Sequence, residues 1–317
     1  MKKMSIIKGR NILNLAEFSG EEIIKILDLA DKFKDERKRN IFNKILKNKT
    51  LAMIFQKPST RTRISFDVAM MDLGGNTIPL SSTEIQLSRG ETIRDTAKSL
   101  SCYVDAVMAR VYNHSEVYEL AKYASIPIIN GLSELYHPTQ VLADLQTIRE
   151  KKGRLKGLKL AWIGDGNNIC NTLLIGCSRT GINMSVASPT NYKPNMDAYN
   201  LAKKEFEKNG NKVEIIEDVE TALNEADIVV TDTFISMGSD AQRDERLKTF
   251  LPKYQVNKNL IDKAKPNAIF LHCLPAHRGE EVTTDVIDGP TSFSKPVLFV
   301  EIGSSEEQWK DNVAIKT

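Results

Sequence analysis

The sequence predicts an α/β protein of two domains, each a mainly parallel sheet flanked by helices. Three observations carry that reading. Short apolar runs alternate with longer amphipathic ones along most of the chain, the pattern of strand–helix repeats. The alternation breaks once, at the exposed-looking Lys-Lys-Gly-Arg-Leu-Lys-Gly of 151–157, and then restarts. The length of 317 residues suits two domains and buries a large core without staples. The division therefore falls at residues 1–150 and 151–317.

In the first half, Ser19 and Glu22 have capping-box spacing ahead of a helix whose apolar face is Ile23, Ile26, Leu27, Ala30 and Phe33. A strand is expected at 51–55, then a helix that opens near Thr60 and stops at Gly74 and Gly75. Strands at 77–80, 106–111 and 126–129 alternate with helices at 92–103 and 115–124, and a long helix runs from Pro138 to about Lys152. In the second half, strands at 158–163, 184–187, 213–216, 228–231 and 268–273 alternate with helices at 168–180, 195–208, 219–226 and 243–254. Parallel sheets of this kind bind ligands outside the carboxyl ends of their strands. The motifs below fall there.

Composition narrows the function classes. Hydrophobic residues make up 41% and charged residues 27%, a globular balance. Lys plus Arg is 44 against Asp plus Glu 41, and a dispersed net charge of +3 is no nucleic-acid surface. The densest basic stretch, 32–49, is interleaved with Asp35 and Glu36 and reads as a solvated face. The four cysteines, Cys102, Cys170, Cys177 and Cys273, form no C-x-x-C pair and predict a reducing compartment. Residues 1–10 lack the apolar run of a signal peptide, and no apolar run is long enough for a membrane span. A cytoplasmic location is expected.

Five motifs carry chemistry. Ser59-Thr60-Arg61-Thr62-Arg63 follows a strand and opens a helix. A helix N-terminus offers unpaired N–H groups, and hydroxyls and guanidiniums add donors that match phosphate oxygens. A capped helix with two solvated arginines fits the segment equally well. His137-Pro138-Thr139-Gln140 puts proline at a helix start, with His137 and Gln140 able to face a carbonyl and an amide; a plain helix cap also fits. Gly164-Asp165-Gly166-Asn167-Asn168 begins like a dinucleotide fingerprint, but Ile169 stands where the third glycine belongs and no acidic residue ends the next strand, which excludes NAD. Asn167 and Asn168 are left to bind a zwitterion or to cap a helix. Asp232 ends a buried strand, where its carboxylate suits an ammonium, and Gly238 lets the following loop bend; a generic turn is the alternative. His272-Cys273-Leu274-Pro275-Ala276-His277 matches no zinc pattern, and Cys273 has no identifiable base beside it, so a loop lining a cleft is preferred.

In this order, from Leu13 to about Pro290, the motifs resemble those of the aspartate/ornithine carbamoyltransferase family. Ser236-Met237-Gly238, the His272–Pro275 run and Glu280-Glu281-Val282 are similar to the ornithine branch. The resemblance implies transfer of the carbamoyl group of carbamoyl phosphate to the side-chain amine of L-ornithine, giving L-citrulline and phosphate, with no metal and no organic cofactor. It implies that Ser59, Thr60, Arg61 and Thr62 hold the phosphate, that Arg110 reaches phosphate and carbonyl, and that His137 and Gln140 orient the carbamoyl group. Asn168, Asp232, Ser236 and Met237 are implied to hold the amino-acid end of ornithine, with Cys273 and Leu274 lining the reaction centre. Gln86, in the loop 81–91, is implied to serve a neighbouring subunit's site in a homotrimer or a multiple of trimers.

The tail departs from the family. The resemblance implies a late Glu-Asn-Arg segment whose arginine touches carbamoyl phosphate, yet no arginine follows Arg278, and 292–299 reads Ser-Phe-Ser-Lys-Pro-Val-Leu-Phe. One such contact is worth about 2–5 kcal/mol. Two alternatives stay open. One is transfer to another amine such as putrescine, which lacks the α-carboxylate that the Ser236-Met237-Gly238 loop would hold. The other is a carbamoyltransferase-fold protein impaired in turnover, against which the intact Ser59 to Arg63, Arg110, His137 and Gln140 argue.

Overall fold

The computed structural model describes residues 7–83, 85–235 and 240–293. Its fold is α/β, with two sheets whose strand pairs are all parallel. The chain opens with α1 (Gly20–Lys38), whose N-terminus carries the expected capping box: Glu22 N–H donates to the Ser19 hydroxyl and Ser19 N–H to the Glu22 carboxylate. Then come β1 (Thr50–Phe55), α2 (Thr60–Asp72), β2 (Asn76–Ser81), α3 (Ile93–Ser101), β3 (Ala106–Arg110), α4 (His114–Tyr123), β4 (Ile128–Leu132) and α5 (Pro138–Lys152). These strands form a four-stranded sheet in the order β2-β1-β3-β4.

The second half runs β5 (Lys159–Ile163), α6 (Asn168–Thr180), β6 (Asn183–Ala187), α7 (Met196–Asn209), β7 (Val213–Ile216), α8 (Val219–Leu223), β8 (Ile228–Thr231), α9 (Arg243–Phe250), α10 (Lys258–Ile261), β9 (Ile269–His272) and α11 (Thr284–Ile287). Its five-stranded sheet has the order β7-β6-β5-β8-β9. The order reverses beside β5, between the crossovers to β6 and to β8, and such a switch point opens a crevice at the strand ends. The largest apolar core joins the halves. Leu27 of α1, Leu142 and Leu145 of α5, and Leu173 and Leu174 of α6 are buried together with Trp162 of β5. Helix α5 stays against β4 of the first sheet and packs on α6 of the second half and on α1, so it bridges the two halves.

The expected elements appear with a few shifted bounds. The fourth strand was expected at 126–129 and lies at Ile128–Leu132. Polar Asn130 and flat Gly131 mask it in the sequence, but Asn130 is buried and its Nδ2 donates to the Leu13 carbonyl at 2.9 Å, which makes it admissible inside a strand. The helix expected at 243–254 ends at Phe250, just before Pro252, whose missing N–H and ring end helices. Helices α10 and α11 are four residues each, too short for periodicity to announce. Among the described residues no helix is long and apolar enough to cross a membrane.

Candidate active site

The first cluster is cationic. β1 delivers the chain to Ser59, the N-cap of α2, whose side chain makes no capping hydrogen bond, so the first turn keeps its donors for another acceptor. Arg110 ends β3, where the pairing with β4 slips in register between Ala109 and Arg110. Such an irregularity re-aims a side chain. The Arg110 guanidinium is 7% exposed; Nη1 donates to Thr62 Oγ1 at 3.2 Å, and the buried Nε has no partner. Burial and the neighbouring Arg61 lower its pKa to about 10, so it stays charged at neutral pH. A buried cation with an unsatisfied donor is an anion site by default. Arg61 reaches across to the other half, donating from Nη2 to the Leu274 carbonyl at 2.6 Å. Arg63 turns away, 4.0 Å from Asp67, and does not join the cluster.

The second group stands at the start of α5. His137 is its N-cap and Pro138 its first residue. His137 N–H donates to Thr172 Oγ1 of α6 at 2.9 Å, and Asn168 Nδ2 donates to the Ser133 carbonyl at 2.7 Å. These bonds clamp the loop before α5 onto the first turn of α6. Burial, then the charge of Arg110, lowers His137 to about pKa 3, so its imidazole is neutral and acts as a hydrogen-bonding group. Gln140, one turn on, donates from Nε2 to Asp144 Oδ1 at 2.9 Å.

The third cluster belongs to the second sheet. Gly164 has φ +126° and Gly166 lies so close to Pro194 that a Cβ would meet its nitrogen at 2.1 Å, so both turns after β5 need glycine. Asn167 caps α6 through Oδ1 and donates from Nδ2 to Asp232 Oδ2 at 2.7 Å. Cys273 donates its S–H to the other oxygen, Asp232 Oδ1, at 2.9 Å. Burial, reinforced by Asp232, pushes the thiol well above its ordinary range, so it is not a thiolate nucleophile. Leu274 sits at φ +56°, an unfavourable region for its side chain. Its N–H is held by His272 Nδ1 at 2.9 Å and its carbonyl by Arg61. Because His272 Nδ1 accepts, Nε2 carries the proton toward Glu281 Oε1 at 3.1 Å. Donor atoms of Asp232, His272 and Cys273 lie within 4.8 Å of one another, but these hydrogen bonds already occupy them.

The structure thus joins Arg61, Thr62, Arg110 and Leu274 in one network, and Asp232 and Cys273 in another that meets it at Leu274. Asn168 serves the clamp through its amide. Gln86 opens a 3-10 turn, Gln86–Arg89, and is exposed. Ser236 and Met237 lie outside the described residues, as does the departing tail from residue 294 on. Sequence reasoning missed Lys57, which is 8% exposed with Nζ 4.0 Å from the Tyr112 ring and a pKa lowered by burial and Arg110. It also missed Asp144, although the i,i+4 spacing from Gln140 was a usable signal.

A buried cationic pocket at one set of strand ends thus faces an acidic, hydrogen-bonding pocket at the other. That is a two-substrate cleft in an α/β protein, one side suited to an anion and the other to an ammonium. The chain belongs to the aspartate/ornithine carbamoyltransferase family: residues 10–150 match the carbamoyl-phosphate-binding domain of that family, and residues 156–295 match its Asp/Orn-binding domain. It is similar to the ornithine carbamoyltransferase of Carboxydothermus hydrogenoformans, 52% identical over 294 residues that cover 93% of each chain. Among solved structures it resembles the ornithine carbamoyltransferase of Pyrococcus furiosus, with TM-score 0.88, 50% identity, and 91% of this chain and 92% of that one covered. The anabolic ornithine carbamoyltransferase of Campylobacter jejuni aligns with TM-score 0.83 and 42% identity over 88% of this chain and 90% of that one.

Proposed function

We propose that this chain transfers the carbamoyl group of carbamoyl phosphate to the side-chain amine of L-ornithine, yielding L-citrulline and phosphate. The observation that carries it is the pairing of buried, under-satisfied Arg110 with the Asp232–Asn167–Cys273 network across one cleft, in a chain about half identical to ornithine carbamoyltransferases. The 1–150 half holds carbamoyl phosphate: Ser59, Thr60, Arg61 and Thr62 take the phosphate from the α2 terminus, and Arg110 spans phosphate and carbonyl. His137, neutral, and Gln140 fix the carbamoyl group. The 151–317 half holds ornithine: Asp232 faces the α-ammonium, with Asn168, Ser236 and Met237 on the amino-acid end. Cys273 and Leu274 line the reaction centre.

The side-chain amine attacks the carbonyl carbon, forming a C–N bond. The C=O π pair moves to oxygen, where Arg110 and His137 stabilise it, and then re-forms as the C–O bond to phosphate breaks. The amine gives up one proton, taken by the departing phosphate or by water. Catalysis is positioning and preorganised charge. A free amine titrates near ~10, and enclosure in the cleft favours its neutral, attacking form. Gln86 serves a neighbouring copy's site in a trimer, and the protein acts in the cytoplasm. A one-pot competition among ornithine, putrescine and aspartate, with products identified by mass, tests the amine assignment. Citrulline is expected as the dominant product; carbamoylputrescine or carbamoylaspartate in its place would overturn the reading.

A further inference from the structure

We propose that Asp144 is a positioning residue that fixes which end of the Gln140 amide faces the carbamoyl group; the inference rests on the reading of Gln140 as a carbamoyl contact. A side-chain amide is nearly symmetric in shape, so packing alone does not decide whether its oxygen or its nitrogen points into a site. Its hydrogen-bond partner decides. Gln140 is half-buried near the N-terminus of α5, and Asp144 lies one turn on, 5% exposed, with Oδ1 2.9 Å from Gln140 Nε2. Above pH 7, about where burial raises its pKa, Asp144 is ionised, and a carboxylate only accepts, so it claims the NH2 end of Gln140. The Gln140 Oε1 is left as an acceptor.

The consequence falls on the substrate. A carbamoyl group has the same ambiguity as Gln140: one carbonyl acceptor and one NH2 with two donors. An acceptor at Gln140 selects the carbamoyl NH2 and turns the carbonyl oxygen toward the donors Arg110 and His137. A reversed Gln140 amide would select the reversed carbamoyl group and bring NH2 against the Arg110 guanidinium, donor facing donor. Asp144 thereby sets substrate polarity without touching substrate.

The carboxylate has a cost that an amide would avoid. It is buried near the carboxylate of Asp232, with the imidazole of His272 as a compensating neighbour, and burial raises its pKa to about 7. Asparagine would fill the same space. Its own amide could, however, donate to Gln140 Oε1 as readily as accept from Nε2, and the polarity would be lost.

The test uses the full chain at about pH 8, where Asp144 is ionised, and two probes titrated calorimetrically: carbamoyl phosphate, which meets Gln140, and inorganic phosphate, which does not. Asp144→Asn should lower the preference for carbamoyl phosphate over phosphate by ~10-fold and change phosphate affinity by less than about 2-fold. Gln140→Ala should narrow the preference similarly, and Asp144→Asn added to it should cost less than about 2-fold more, because both act through one contact. A preference unchanged in Asp144→Asn, a parallel loss of phosphate affinity, or a full additional loss in the double variant would overturn the proposal. So would a wild type that does not distinguish the two probes. Citrulline formation followed alongside separates the layers: the predicted affinity pattern without citrulline keeps the Asp144 role and removes the assigned reaction.

Discussion

Arg110 carries the anion side of the cleft, and its chemistry decides what its loss does. It is a buried guanidinium with one partner at 3.2 Å on Thr62 and an unpartnered Nε, so the fold gains little from its charge. Arg110→Met keeps the apolar stem and removes the cation. Carbamoyl phosphate affinity should fall by about 3–5 kcal/mol, roughly 150- to 5,000-fold, while the thermal midpoint holds or rises; calorimetry and a melting curve on the same sample check both. Unchanged affinity would contradict the assignment. Residues of this kind were legible in part. Arg61, Thr62, His137 and Gln140 lie in compact motifs that announce polar groups at a strand–helix junction, and Asp232 announces itself by ending an apolar run. Lys57 was not legible as a site residue, because its significance comes from Arg110 beside it in space, and Asp144 offered only its i,i+4 spacing from Gln140, since burial of a charge is invisible in sequence.

At the scale of elements, short-range signals read well and compensated ones read poorly. The capping box at Ser19 needs only residues three apart, and both of its hydrogen bonds form. Ser19→Ala should cost about 1 kcal/mol in a denaturant titration, with no change in the slope; a loss under 0.3 would mean the cap is idle, on the usual spread of such values. The β4 strand was misplaced because its buried Asn130 is satisfied by the distant Leu13 carbonyl, a partner no local window contains. The element that holds the second pocket is α9. Its Arg246, 6% exposed, donates to the Phe234 carbonyl at 2.6 Å, pairs with Asp165 of the β5–α6 loop, and stacks 4.6 Å over the Tyr192 ring. It ties the segment after Asp232 to the loop that carries Asn167. Arg246→Met removes the buried ion pair with Asp165, the bond to the Phe234 carbonyl and the ring contact together, and should destabilise the protein by about 3–5 kcal/mol. A cost below 1 kcal/mol in the same titration would contradict that account, since exposed pairs are worth no more than that.

For the molecule as a whole, buried titratable groups set opposing slopes of stability against pH. His137 and His114 have folded pKa values lowered to about 3 and about 4, mainly by burial, so the unfolded chain binds more protons below their ordinary pKa of 6.5 and stability is lost as pH falls from there. Asp144 has the opposite sign. Its folded pKa, raised from 3.8 to about 7, makes the native state hold a proton that the unfolded chain releases, so its contribution is lost as pH rises through that window. The gap of about three pH units is worth about 4 kcal/mol at most. Asp144→Asn should therefore gain stability over the wild type at pH 8, and the gain should shrink toward pH 4; a gain independent of pH would contradict it. The two-sheet architecture itself was legible because strand–helix alternation repeats throughout and breaks only at 151–157, and the meeting of its halves was not, because the α1–α5–α6 core joins residues far apart in the chain. Whether that architecture performs complete transfer is settled most directly by measuring citrulline and phosphate together in one reaction of the purified chain with carbamoyl phosphate and ornithine. One phosphate released per citrulline formed, with phosphate release at the spontaneous rate when ornithine is omitted, is the predicted result. Tight carbamoyl phosphate binding by a folded protein that forms no citrulline would contradict it.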